Sequence, residues 1–203
     1  RFGSDVQPST LGREANIQRW GGDAELVELS RLLGVAASSM GLDVIYVINA
    51  AGEGIAASNA GKPDQFIGSN YADRQYFQMA QQGLPGQQYA VGKVSGLAGL
   101  YFSAPVVVNG KFIGAVAGKR NLAQLADLVH QDNTLLVDEQ GVVILSKNKS
   151  LEMTALAGAA VSQLSSEQRI SRYRRDEFSQ LSLAPWGQRY PQLHRLMGRN
   201  TPM

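Results

Sequence analysis

The stretch SNYADRQYFQMA, Ser69 to Ala80, sets one cation, Arg74, among the rings of Tyr71, Tyr76 and Phe77. Residues three apart are neighbours on a helix, so a helix through this stretch places Tyr71 and Arg74 on one face. A fixed guanidinium among aromatic side chains is suited to receive an anion. Two further cations, Lys93 in AVGKVSG and Lys119 in GAVAGKR, fall in segments that read as strands, with small and apolar neighbours. The plain alternatives are a solvent-facing strand edge for each lysine and a surface ion pair with Asp73 or Asp64 for Arg74. Against them, a helix and two strands of one small sheet each supply a cation, and three convergent cations repel one another until an anion arrives. Tyr71 and Tyr101 can donate hydroxyl groups from the walls, and Ser95 stands two residues after Lys93. Charge-assisted hydrogen bonds contribute about 1.5 to 3 kcal/mol each, so two or three suffice for micromolar binding. The expected site is a pocket for a small organic anion, formed by Tyr71, Arg74, Lys93, Ser95, Tyr101 and Lys119.

Catalytic patterns are absent by comparison. The two histidines, His130 and His194, form no HExxH pair, and no serine sits in a GxSxG elbow. GEGIAA lacks the third glycine of a dinucleotide loop and lies in a hairpin. Asp176 and Glu177 are adjacent, so in a strand they point to opposite faces. With no cysteine there is no disulfide or thiolate chemistry. A net charge of +2 from 19 basic and 17 acidic residues is far from the basic face of a nucleic-acid binder. The expectation is a chain that is not an enzyme and holds no cofactor and no metal.

The elements that must position these residues follow from pattern. From Asp23 to Met40, Leu26, Leu29, Leu33, Ala36 or Ala37 and Met40 recur at three and four, which predicts an amphipathic helix capped by Asp23 and ended by Gly41. Gly21 and Gly22 separate it from a helical piece around Leu11 to Trp20. VIYVINAAGEGIAAS predicts strand, turn, strand. YAVGKVSG, GLYFSAPVVV and KFIGAVAGKR add three strands, the last two joined by Asn109-Gly110, the strongest short hairpin signal. Together they predict a five-stranded antiparallel sheet with helices on it. VINAAGEGIAASN is echoed by VDEQGVVILSKN at a fixed spacing, which predicts a second, shorter module of related fold. That module follows a linker helix from Leu122 to about Gln131 and includes a helix from Ser150 to Leu164. The fold class is α+β, with two tandem modules each holding an antiparallel sheet of about five strands. The expected division is a helical stalk at 1–42, a ligand-binding module at 43–121, a linker helix at 122–133 and an incomplete module at 134–203. No run of 18 apolar residues is present, and the start at Arg1 reads as a piece cut from a longer, membrane-anchored parent.

VIYVINAAGEGIAASN, FIGSNYADRQYFQMA, YAVGKVSGLAGLYFSAPV and GKFIGAVAGKRNLAQL together resemble the extracytoplasmic double Cache sensor domain, two PAS-like modules in tandem. The resemblance is nearest to the four-carbon dicarboxylate sensor histidine kinases, strong over Asp23 to Leu128 and weak from Thr134 onward. It implies a helix leading from a membrane anchor, a membrane-distal module that holds the ligand and a membrane-proximal module leading to a second anchor. The implied location is the periplasmic portion of an inner-membrane protein, with a cytoplasmic output domain, usually a histidine kinase and sometimes a diguanylate cyclase or chemoreceptor. Carried over by position, Tyr71 and Arg74 would grip one carboxylate and Lys119 the other. Where that family has a small hydroxyl residue in GTxS, this chain has Lys93 in GKVS. The leucine stripe of the long helix is a candidate homodimer seam. The competing expectation is a structural or interaction ectodomain in which intramolecular salt bridges occupy Arg74 and Lys119.

Overall fold

The structure is a computed structural model and describes residues 12–131 and 134–182; His194 and the tail GRNTPM lie outside them. Two helices come first, α1 (Arg13–Gly21) and α2 (Ala24–Met40). Asp23 starts α2 by accepting from the backbone of Glu25 and Leu26 at 3.1 and 3.2 Å, which satisfies amides that a helix start leaves orphaned. Gly41 ends it in the left-handed conformation, φ 64°. Leu26, Leu33 and Ala37 turn inward with Ser30, whose hydroxyl accepts from the backbone of Ala57 at 3.1 Å. Met40, expected in the buried stripe, occupies the last helical position and is exposed.

The five expected strands form one antiparallel sheet. They are β1 (Val44–Asn49), β2 (Gly54–Ala57), β3 (Gly86–Val91), β4 (Ala98–Val108) and β5 (Lys111–Asn121), in the order β2-β1-β5-β4-β3. Asn109 and Gly110 both take positive φ, 51° and 74°, as a two-residue hairpin between β4 and β5 requires. Strand side chains alternate between faces, so Ala115, Ala117 and Lys119 share the buried face of central β5. On that face Tyr46 of β1 stands opposite Ala117, and Tyr101 of β4 opposite Lys119. Helix α3 (Gln75–Gln81) buries Tyr76, Phe77 and Ala80. It is tied to the sheet by the Ser103 hydroxyl, which donates to the Tyr76 carbonyl at 2.7 Å.

Helix α3 starts later than the sequence suggests, and Tyr71 and Arg74 precede it. The Asn70 side chain accepts from the Ala72 amide, and the Tyr71 amide donates to Gly52. These bonds hold 70–74 in turns, an alternative to helix that asparagine side chains promote. Lys93 likewise lies in the turn between β3 and β4, not in a strand.

The sequence echo is an echo of geometry. Asn49 accepts from the amides of Ala51 and Glu53, and Asp138 from those of Gln140 and Val142, all at 3.0 Å. Gly52 and Gly141, at matching positions, take φ 86° and 79°. Strands β6 (Leu135–Val137) and β7 (Val143–Ser146) pair with the same register shift as β1 and β2. Beyond this point the two halves differ. Among the described residues the second half holds a two-stranded sheet, where about five strands were expected. The helix expected over Ser150 to Leu164 is two short 3-10 turns, Lys149–Leu151 and Ala160–Gln163. Met153 and Gly158 are left-handed, and Met153 and Thr154 give their backbone groups to β7, which removes the ladder a helix needs. The linker Leu122–Val129 is 3-10 throughout. The true helix is α4 (Ser166–Tyr173), opened by a Ser165–Gln168 capping box.

Two hydrophobic clusters result, and β3 joins them: Ala90 lies in the first, while Tyr89 lies in the second and stacks on Tyr173 at 5.7 Å. No helix among the described residues is long and apolar enough to cross a membrane. Because Asn49 supplies two buried amides with their acceptor, Asn49→Ala should destabilise the chain by about 2 to 4 kcal/mol, read as a lower urea midpoint at unchanged m-value.

Candidate functional site

Four tyrosines and two buried cations gather against the inner face of the sheet. Tyr46 donates to the Tyr76 hydroxyl at 2.7 Å, and Tyr71 donates to the Phe66 carbonyl at 3.0 Å. Tyr76 lies flat on Tyr101, ring centroids 5.3 Å apart and planes within 5°. Lys119 reaches over this floor. Its ammonium donates to the Ser95 hydroxyl at 3.0 Å and lies 5.8 Å from the centroid of the Tyr101 ring. Two glycines make the room. A Cβ at Gly99 would sit 2.8 Å from the Lys119 Cε, and one at Gly92 would sit 2.5 Å from the Ser95 hydroxyl and 3.0 Å from that of Tyr101. The Tyr101 hydroxyl is buried and has no hydrogen-bond partner among the described residues.

Arg74 comes to the same place from the turn before α3. Its two terminal nitrogens donate at 3.1 Å, one to the Val91 carbonyl beside Gly92 and the other to the Ser171 carbonyl in the last turn of α4. Arg74 is 3% exposed and Lys119 2%. Neither makes a salt bridge among the described residues, so the ion pairs expected of an interaction ectodomain are not formed with Asp73 or Asp64. Asp73 is instead taken by Lys93, whose ammonium also donates to the Asn70 carbonyl at 2.9 Å. Five of the expected residues, Tyr71, Arg74, Ser95, Tyr101 and Lys119, therefore meet. Lys93 does not join them, because a carboxylate and a carbonyl hold it on the outer side of the loop.

The electrostatics follow from burial. Desolvation pushes the hydroxyls of Tyr46, Tyr71, Tyr76 and Tyr101 above the ordinary tyrosine value, so all four are neutral donors. Burial pushes the Lys119 ammonium below its ordinary value, only partly offset by the charges of Asp43 and Asp64. Burial raises Asp73, but the bond and charge of Lys93, with Arg74, outweigh it and leave the carboxyl below its ordinary value.

Sequence reasoning missed Tyr46 and Ser171. Tyr46 had a signal, a tyrosine amid valine and isoleucine at an inward position of VIYVIN; Ser171 is 97 residues from Arg74 and gave none. Of the histidines, His130 is exposed, with Nδ1 2.5 Å from the Asp127 carbonyl. No group of three or more metal-ligating side chains occurs among the described residues.

A five-stranded antiparallel sheet with α2 against β1 and β2 and α3 on the face that carries the buried cations is the architecture of a PAS-like, Cache-type sensor module. The chain is homologous to the C4-dicarboxylate transport sensor protein DctB. It is 37% identical to that of Rhizobium meliloti over 94 residues, 46% of this chain and 15% of the relative. With that of Pseudomonas aeruginosa the figures are 33% over 111 residues, 54% and 18%. The chain thus matches less than a fifth of the length of either relative. Among solved structures, the sensor domain of the Vibrio cholerae histidine kinase DctB superposes with a TM-score of 0.67 at 22% identity, over 83% of this chain and 66% of that one. The ligand-binding domain of the Pseudomonas fluorescens chemoreceptor CtaA, solved with L-alanine, gives 0.53 at 18%, over 71% and 65%. Both are sensor or ligand-binding domains, and this chain shares their fold. No family model matches it.

Because the native state disfavours the charged form of Lys119, the unfolded chain holds that proton at pH values where the native chain has released it. The contribution of Lys119 to stability should therefore rise with pH between its depressed native pKa and the ordinary value of 10.5, while the four buried tyrosines oppose it as pH nears their ordinary value of 10. Lys119→Met should remove this rise and make the unliganded chain more stable at neutral pH, as measured by urea unfolding from pH 7 to 10.

Proposed function

We propose that the chain is the extracytoplasmic sensor domain of a membrane-anchored signalling receptor, most closely a histidine kinase of the DctB kind, and that it binds a small dicarboxylate between Arg74 and Lys119. The observation that carries this reading is the buried, unpartnered Tyr101 hydroxyl next to two buried cations without a carboxylate. Such cations are costly unless a counter-charge joins them, and an oxygen anion beside Tyr101 supplies both the charge and the missing acceptor. Two buried cations near one tyrosine suit two carboxylates. An amino acid, as held by the CtaA domain, would bring an ammonium for which the cluster offers no acid. The homology to C4-dicarboxylate sensors supports the same choice.

Residues 43–121 form the ligand-binding module, 122–133 a linker and 134–203 a second, membrane-proximal PAS-like module, the duplicated hairpin supporting common descent of the two. The leucine stripe expected as a homodimer seam is packed into the core with the sheet, so a homodimer through α2 would use its exposed Val27, Leu32 and Val35 instead. The signal passes through Arg74. A carboxylate draws the guanidinium from the Ser171 carbonyl and loosens the end of α4, and couplings of about 1 to 3 kcal/mol are typical of such switches.

Titration calorimetry with succinate tests the site. Tyr101→Phe removes a hydroxyl that has no partner in the unliganded chain, so it should leave the melting temperature of that chain unlowered while weakening succinate binding by about tenfold, the value of one hydrogen bond to a charged group. Absence of succinate binding to the parent, or equal binding by the variant, would refute the reading.

A further inference from the structure

Between helices α3 and α4 a second cleft opens, away from the buried cations, with a volume of about 480 Å³. This lies within the range of about 300 to 1,000 Å³ usual for small-molecule sites. Five glutamines line it, Gln75 and Gln78 from α3, Gln88 from β3, Gln140 from the β6–β7 turn and Gln168 from α4, together with Arg172. Two of the lining residues are buried. Gln88 is 6% exposed and its side-chain oxygen has no hydrogen-bond partner among the described residues; Arg172 is 4% exposed and its Nε lies 3.8 Å from the Asp138 carboxylate, an ion pair without a hydrogen bond. A buried acceptor left without a donor is costly, and a ligand hydroxyl at Gln88 would supply the donor.

The charges around the cleft are already matched. Asp73 pairs with Lys93, and Arg172 with Glu139 and Asp138. A cationic ligand would meet Arg172, and an anionic one Asp73 and the exposed Glu167. What remains are amides: Gln75 accepts from Arg172, Gln78 donates to the Ala72 carbonyl and Gln168 accepts from the Ser165 amide, and their other amide atoms, with the side chains of Gln88 and Gln140, are the complement of neighbouring hydroxyl groups that donate and accept in turn.

We propose that this cleft is a second ligand site, for an uncharged polyhydroxylated molecule of the sugar or polyol class. It is independent of the anion site but shares the joint that links the two halves. Arg172 donates to Gln75 at 2.8 Å, and the Ser171 hydroxyl donates to Asp73 at 3.2 Å. A ligand bridging Gln88 and Arg172 therefore holds α4 against α3.

Melting temperature cannot test this, because sugars stabilise folded proteins generally by exclusion from their surface. Saturation-transfer NMR of the chain with D-glucose, D-galactose, trehalose and myo-inositol reads binding directly. At least one of the four should show transfer. It should be weakened about tenfold in Gln88→Leu and also in Gln140→Ala, a partly exposed position whose replacement leaves the core intact, and it should persist under saturating succinate. No transfer from any of the four overturns the proposal, as does transfer that both variants retain in full. Transfer that Tyr101→Phe weakens as much as Gln88→Leu does would place the sugar in the anion site and overturns it equally. Succinate calorimetry on the same samples keeps the two sites apart, since failure of the cleft leaves succinate binding untouched.

Discussion

The removal of Lys119 and Arg74 from water is the constraint on which the rest of the molecule depends. An ammonium at the inward end of a central strand has no solvent to turn to, and the register that places Tyr101 opposite it fixes where its charge can rest. The protein compensates in small steps, with a serine hydroxyl and an aromatic face for the lysine and two backbone carbonyls for the arginine. Neutral acceptors offset only part of the lost hydration of a cation. The depressed pKa of Lys119 is the sign of what remains uncompensated. Glycine at 99 follows from the lysine and the strand beside it, since a Cβ would sit 2.8 Å from the Lys119 Cε and 2.7 Å from the Arg120 carbonyl, and glycine at 92 leaves room for the hydroxyls of Ser95 and Tyr101.

The same arginine explains how the two halves hold together. The last carbonyls of a helix lack intrahelical partners and carry the negative end of its dipole, so a guanidinium there is favourable twice over. Arg74 takes this role for α4 through Ser171, while its neighbours Asp73 and Gln75 bond the side chains of Ser171 and Arg172. Three consecutive residues at the threshold of α3 thus grip two at the end of α4. A group that competes for Arg74 acts on the middle of that grip. The anion cluster and the contact between the halves therefore share one side chain, and no longer chain of intermediates is needed to connect them.

Much of this was legible from one sequence, for identifiable reasons. Alternation along GAVAGKR puts Lys119 on the face of Ala115 and Ala117, and Asn109-Gly110 fixes the hairpin that brings Tyr101 beside it. The echo of VINAAGEGIAASN was visible because a polar residue accepting two amides, followed by a left-handed glycine, leaves a trace in residue type. Features set by tertiary contact were not legible. The turns at 70–74 depend on the Gly52 carbonyl, and the loss of helix over 150–164 on a left-handed Met153, a conformation that nothing in a methionine announces. The place of α4 was hidden for the same reason, since its C-terminal contacts lie some 97 residues away.

Lys93 shows how a charged residue in a loop can act without joining the buried cluster. The ion pair with Asp73 is half exposed, with 30% and 47% of the two side chains accessible, and pairs so exposed contribute little to stability. Its effect is geometric. The ammonium also binds the Asn70 carbonyl, so one side chain fastens the β3–β4 turn, which carries Ser95, to the turn that carries Arg74. Ser95 is the partner of Lys119, and Lys93 thereby helps fix the relative positions of both cations from outside. A threonine-sized residue here could not span to Asp73, and the turn would then be held by its own bonds among Gly92, Ser95, Gly96 and Leu97 and by the Ser95–Lys119 bond. The added charge thus acts through the loop, and the charge of the inner cluster remains that of Arg74 and Lys119.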